Sequence, residues 1–290
     1  MIPVTVERND NPPVPKPNQN FHYVDQGNYR ICQLSSGLAL YSDSATSCII
    51  VVVLAGKGVE QWVALAHLDS PSCIQAFFSI LSDKGFDFLQ IYAQGANPPD
   101  NQTAKENAEQ LQLSIESLGT LVVAKELFLL EGNPRERNLG DFGVHCVGER
   151  AVVTNQPYAL SLTDRDPTCG GQTVYCIMRR QEHPPIEIRD AAVPFTHAEL
   201  VELSSIALQF RKTPSDPTTA FTNIVNMQSE AIRAMWSTTP KYEADWFSDQ
   251  LKLGACFALS MSPVVNLSNF HLNPNDSTSF TRLSQSLLKS

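Results

Sequence analysis

At 290 residues the chain is long enough for one large core or two smaller domains. Hydrophobic residues make up 42% and charged residues 18%, and the net charge of −9 comes with no basic run, which argues against binding a phosphate backbone. No stretch approaches the ~18 apolar residues of a membrane helix, and the first ten residues lack the basic start and apolar core of a signal peptide.

In chain order, residues 9–20 carry Pro12, Pro13, Pro15 and Pro17 and read as an irregular arm. Short strands are predicted at 29–33 and 38–41. The strongest β signal is a hairpin, 48–54 and 60–67, β-branched and separated by the turn residues around Gly56-Lys57-Gly58. A helix follows, with Ser70 as N-cap, Pro71 at its first position, and Ile74, Phe77, Phe78 and Leu81 on one face. Gly85 closes it, and 86–92 returns as a strand.

A second helix is predicted from a Thr103-X-X-Glu106 capping box, with Ala104, Ala108, Leu111, Ile115 and Leu118 inward. Residues 121–130 form the next strand, and 131–141 a polar hairpin loop. Further strands are expected at 142–147, 151–154, 158–162 and 173–178. A third helix starts at a second capping box, Thr196-X-X-Glu199, with Leu200, Leu203, Ala207 and Phe210 inward; a fourth runs from about 216 to 236. The alternation of strands and helices puts the chain in the α/β class.

Seven widely spaced cysteines, an odd number, read as thiols in a reducing, cytoplasmic setting rather than as a disulfide framework. There is no Cys-X-X-Cys pair for zinc, no Gly-X-Ser-X-Gly elbow, and no Walker spacing around Gly56-Lys57-Gly58. Asp164, Asp166, Glu182 and Glu187 read as solvated charges, and Gly170-Gly171 as a turn.

The remaining chemistry lies at the hairpin. Cys48 begins the first strand and His67 ends the second, so an antiparallel pairing brings them to one open end. A thiol beside an imidazole is the minimal apparatus for nucleophilic attack on an amide or ester. Each residue alone is more ordinary: a buried Cys packs as a small hydrophobe, and a strand-end His is commonly a hydrogen-bonded core residue.

The stretch Ser42-Asp43-Ser44-Ala45-Thr46-Ser47-Cys48, the β-branched run after it, and Ala66-His67-Leu68-Asp69-Ser70 resemble the protein N-terminal asparagine amidohydrolase family. That family has a Ser-Asp-X-Ala-Thr-Thr-Cys stretch and a Thr-His-X-Asp segment. The cysteine-to-histidine interval here, 67 − 48 = 19, is about two residues longer, and the excess falls in the hairpin turn, where insertions are tolerated. Gln90-Ile91-Tyr92-Ala93-Gln94-Gly95-Ala96, Val122-Val123-Ala124-Lys125-Glu126-Leu127 and Pro194-Phe195-Thr196-His197 extend the resemblance over most of 30–235, weakly outside the Cys/His core. The Cys/His architecture is also similar to that of chemotaxis-receptor glutamine deamidases and cytotoxic-necrotizing-factor deamidases. In the chemotaxis family a threonine six residues before the cysteine bonds the histidine; here that position is Ser42.

The resemblance implies a layered α/β/β sandwich with additional C-terminal helices: an arm over 1–28, an amidohydrolase core over 29–195, and a helical extension over 196–290 packed on it. It implies hydrolysis of the side-chain amide of a protein N-terminal asparagine through a Cys48 thioester, as in the N-degron pathway, with His67 as acid–base and Ser42 orienting it. The substrate ammonium calls for a carboxylate, for which Asp43 and Asp69 are candidates, each equally readable as a turn or capping residue. The implied partner is a protein or peptide beginning with Asn, with no cofactor, metal, nucleic acid or membrane, and oligomeric state is left open. An internal-glutamine deamidase and a non-catalytic binding module are the alternatives.

Overall fold

A computed structural model describes residues 1–166, 168, 170–180, 185–209 and 221–260. The chain divides into two compact units. The first comprises Met1–Leu160 with Glu187–Ala192; the second, Ser161–Ile186 and the described residues from Val193 onward.

The first unit contains β1 (Val4–Glu7), β2 (Phe21–Tyr23), β3 (Asn28–Gln33), β4 (Ala39–Ser42), β5 (Ile49–Lys57), β6 (Glu60–Leu68), α1 (Pro71–Asp83), β7 (Phe88–Gly95), α2 (Gln102–Ser117), β8 (Val122–Leu129), β9 (Phe142–Val147), β10 (Arg150–Thr154) and β11 (Arg189–Asp190). They form two mixed sheets, ordered β11-β3-β6-β5-β7-β8 and β1-β10-β9-β4-β2. Strand β5 is antiparallel to both β6 and β7, so α1 carries the chain across it between two parallel strands. Strands β7 and β8 are parallel, joined through α2.

The continuous apolar character of β5 has a physical cause: both of its faces are buried. Ile49, Val51, Val53 and Ala55 pack with Ile74, Phe77, Phe78 and Leu81 of α1 and Ala104, Ala108, Leu111 and Ile115 of α2. Ile50, Val52 and Leu54 pack instead with Leu40, Phe142, Val144 and Val153 of the five-stranded sheet. The unit is thus an α/β class structure layered as helix pair, six-stranded sheet, five-stranded sheet. Burying each large aliphatic or aromatic side chain contributes about 1.5–3 kcal/mol, an upper figure because the unfolded chain is itself partly collapsed.

Helix α1 begins as predicted, with Ser70 Oγ accepting from Cys73 N at 3.3 Å, and Gly85 follows it at φ +64°. Helix α2 corrects the expectation: its cap is Asn101, whose Oδ1 accepts from Ala104 N at 2.9 Å, and Thr103 lies inside the helix. Asn is at least as good a cap as Thr, and Asn101, two positions earlier, takes the role.

Other expectations also change. Segments within the arm form β1 and β2, and β1 joins the five-stranded sheet parallel to β10. The segment 131–141 is not a hairpin loop, since β8 and β9 belong to different sheets. No strand forms at 158–162; Ser161 instead opens a short helix, α3 (Leu162–Arg165), by a capping box with Asp164.

The second unit continues with α4 (Gly171–Arg179), α5 (His197–Gln209), α6 (Phe221–Ile224), α7 (Ser229–Trp236) and α8 (Phe247–Ser260). Helix α8 packs against α4, α5, α6 and α7 around Val174, Leu203, Ile224, Ile232 and Leu251. Residues 173–178 are helical despite their β-branched and aromatic composition. Buried Asp166 accepts from the N–H groups of Thr168, Gly170 and Gln172, putting a carboxylate on the helix start, so it is a cap and no solvated charge. Gly170 is the N-cap of α4. Glu187, in the first unit, accepts from Ser72 Oγ. The capping box at Thr196 and Glu199 forms as predicted. The single helix expected over 216–236 is interrupted between α6 and α7. Glu182, Phe210 and the segment 211–220 fall outside what the structure describes, as does the side chain of Ala207 within α5. No helix among the described residues is long and apolar enough to cross a membrane.

Gly95 shows how tightly the hairpin end is built. It sits at φ +135°, and a Cβ there would lie 2.4 Å from the Cys48 carbonyl oxygen. Gly95→Ala is expected to lower stability by at least about 2 kcal/mol in urea unfolding. Gly148→Ala, at φ +61° with open space around it, should cost only about 1–2 kcal/mol. Equal losses at the two positions would show that the contact with Cys48 is unimportant.

Candidate active site

The register of β5 and β6 pairs Ile50 with His67 and ends at Ile49 and Leu68. Cys48, one step beyond, lies two residues from Ile50 and joins it in the cluster between the sheets. His67 shares a face with Leu65 and Val63, which belong to the same cluster. The two side chains therefore project from one face of the six-stranded sheet at diagonal positions, where backbones lie about 7–8 Å apart and long side chains reach each other.

Ser42 arrives from the other layer. It ends β4, opposite Phe142 in the five-stranded sheet, and its Oγ lies 2.8 Å from His67 Nδ1 and 2.6 Å from the Val24 carbonyl oxygen. The carbonyl can only accept, so the single hydroxyl proton of Ser42 goes to Val24. Ser42 Oγ must then accept from His67, which places the imidazole proton on Nδ1. His67 Nε2 is left with its lone pair, buried and with no hydrogen-bond partner. An unpaired buried nitrogen is costly, and here it belongs to an imidazole that shares a face with the cysteine.

All three side chains are enclosed: Ser42 is 0% exposed, His67 4% and Cys48 8%. Burial pushes the His67 pKa from 6.5 down to about 4, against smaller upward pulls from Asp69 and then Asp43. At neutral pH the ring is a neutral base. Its proton affinity favours a resting thiol–imidazole arrangement over a preformed ion pair.

Asp43 and Asp69 both act on His67 electrostatically. Asp43 accepts from the Tyr23 hydroxyl at 2.9 Å, and Asp69 from Gln26 Nε2 at 2.9 Å. The cap of α1 is Ser70, so Asp69 is not the capping residue. Tyr23, Val24 and Gln26 carried no sequence signal, lying in a segment read as an arm; a backbone carbonyl such as that of Val24 has none to carry. Gln26 bridges to His67 in parallel fashion, and Gly27 N donates to the His67 carbonyl at 2.9 Å.

The segment before Cys48 is held from two sides. Ala45 N donates to Gly140 O and Ser44 N to Asp141 Oδ1, while Ala96 N and Asn97 N donate to Cys48 O and Thr46 O. Ser44 at φ +57° and Ala96 at φ +52° occupy the left-handed region, unusual for side chains with a Cβ. Among the described residues, no group of three or more His, Cys, Asp or Glu side chains is arranged to hold a metal ion.

Ser42→Ala is expected to lower any His67-dependent rate about 10-fold to 100-fold and stability by about 1–3 kcal/mol, because Nδ1 and the Val24 carbonyl both lose their partner. Ring nitrogen chemical shifts of His67 would report the tautomer directly. A wild-type ring protonated on Nε2 would refute the assignment.

Comparison with models of known protein families found no match, and comparison with curated proteins found none either.

Proposed function

We propose that the chain is a cysteine-dependent amidohydrolase that converts a protein N-terminal asparagine to aspartate, on the Cys/His deamidase fold. One observation carries the reading: His67, held through Nδ1 by Ser42, turns an unpartnered Nε2 to the face it shares with Cys48. Low exposure alone fits a packed thiol as well as a nucleophile. A fixed tautomer with a bare basic nitrogen is what a packed thiol does not require.

In this reading His67 Nε2 takes the Cys48 proton as Sγ attacks the carboxamide carbon. The tetrahedral intermediate collapses as His67 returns the proton to the leaving nitrogen, which departs as ammonia. Water, deprotonated by the same nitrogen, then cleaves the thioester and restores the thiol. The balance is carboxamide plus water giving carboxylate plus ammonium. The oxyanion needs donors beyond the 95–97 loop amides of Ala96 and Asn97, which are already bonded. Asn97 carries a buried Nδ2 with no partner and is the candidate side-chain donor. Asp43 and Asp69, close enough to act on His67, suit a substrate bearing an ammonium beside its carboxamide.

The test is ammonia release from three peptides: one starting with Asn, one starting with Gln, and one with an internal Gln. Release from the Asn-starting peptide alone supports the reading. Preference for internal Gln moves the substrate to the effector-like alternative. No release from any of them moves the reading to the binding module or to a folded-protein substrate.

A further inference from the structure

Asn107 lies on the face of α2 that carries Ala104, Ala108, Leu111 and Ile115, and it is completely buried. A polar residue at that position interrupts an otherwise apolar stripe. Its Nδ2 donates to the Ser47 carbonyl at 2.9 Å and to the Asp69 carbonyl at 3.4 Å. Only an NH2 group can face two carbonyl oxygens, so the orientation of the amide is chemically fixed. Its Oδ1 is buried with no partner.

Stability does not account for this residue. The gain from two neutral hydrogen bonds, the second long at 3.4 Å, is similar in size to the cost of a stranded carbonyl oxygen, so gain and cost roughly cancel. Position accounts for it better. Ser47 immediately precedes Cys48, and Asp69 follows His67 by two residues. One amide thus ties together the two strand ends that carry the thiol and the imidazole.

We infer that Asn107 is a positioning residue that sets the separation of Cys48 and His67 by clamping the backbone on either side of them. Its two hydrogen bonds go to backbone carbonyls and to neither reactive side chain. The turnover part of the inference rests on the amidohydrolase reading; the thiol-reactivity part does not.

The test uses the full chain, with iodoacetamide alkylation of Cys48 followed by peptide mass spectrometry and ammonia release from an Asn-starting peptide. Asn107→Leu keeps the shape and removes the donor. It is expected to lower kcat about 100-fold with KM little changed, and to slow Cys48 alkylation about 10-fold while leaving Cys32 unaffected. Leu111→Ala, on the same helix face, is the control: it should lower the melting temperature and spare both readouts. Unchanged kcat and alkylation in Asn107→Leu, or the same losses in Leu111→Ala, overturn the inference. If Leu at this position prevents folding, Asn107→Asp replaces it. Its carboxylate repels both carbonyls at neutral pH and regains one donor on protonation, so alkylation relative to wild type should recover on acidification; no recovery overturns the inference. A wild-type protein that releases no ammonia sinks the amidohydrolase reading, while the alkylation comparison still decides the role of Asn107.

Discussion

Cys48→Ala is expected to abolish ammonia release, a loss of at least about 1,000-fold, while leaving the fold intact. The side chain lies in the layer between the sheets, in the same apolar cluster as Ile50, Val52 and Leu65. Truncating a single sulfur there leaves a minor void, costing stability far less than it costs chemistry. Wild-type protein quenched during incubation with the Asn-starting peptide should carry an acyl adduct on the Cys48 peptide, absent in the variant. Ammonia release that persists in Cys48→Ala, or an adduct on another cysteine, would remove Cys48 from the mechanism.

His67→Gln carries the second large effect and separates chemistry from stability. A general base and acid is worth about 100-fold to 10,000-fold, and glutamine offers hydrogen bonds to Ser42 without a basic nitrogen. The same substitution should flatten part of the acid sensitivity of the fold. Burial lowers the His67 pKa from 6.5 in the unfolded chain to about 4 in the folded protein. Between those values the unfolded chain binds a proton that the folded chain refuses, so stability falls as pH drops through 6.5 and the loss is complete below about 4. The interval corresponds to roughly 3 kcal/mol. Urea unfolding of wild type and His67→Gln at matched pH isolates this contribution together with the coupling of the ring to Asp69 and Asp43, because groups that do not act on His67 cancel in the comparison. Parallel pH profiles for the two proteins would show that His67 is not held neutral by burial.

The neutral imidazole also bears on the proposed reaction. In that reading a ring that resists protonation withdraws the thiol proton during attack and does not hold a thiolate beforehand. The pH dependence of Cys48 alkylation should accordingly show no thiolate plateau in the mildly acidic range, where a preformed ion pair would give one.

The elements read correctly from the chain share a local cause. Helix α1 is announced by Ser70, Pro71 and the spacing of its four apolar residues; α5 by Thr196 and Glu199; the β5–β6 hairpin by β-branched runs on either side of glycines. Each signal lies within a few residues of what it specifies. Misreadings have non-local causes. Residues 173–178 look like a strand until Asp166 is seen holding the helix start, and β1 gains its partner only from β10, far along the chain.

The candidate site divides in the same way. Cys48 and His67 belong to one hairpin, so the chain alone puts them at one end of it; Ser42 enters as a third candidate only through the family resemblance. That Ser42 Oγ meets Nδ1, that Val24 fixes the direction of the proton, and that Nε2 is left bare depends on two separate sheets packing face to face. Asn107 reaches the site from a third layer, where its neighbours in sequence mark only a core face. Local periodicity determines which residues point inward; which of them meet across layers is decided by packing, because the groups that set a tautomer or a spacing are backbone carbonyls and side chains from strands and helices distant in the chain.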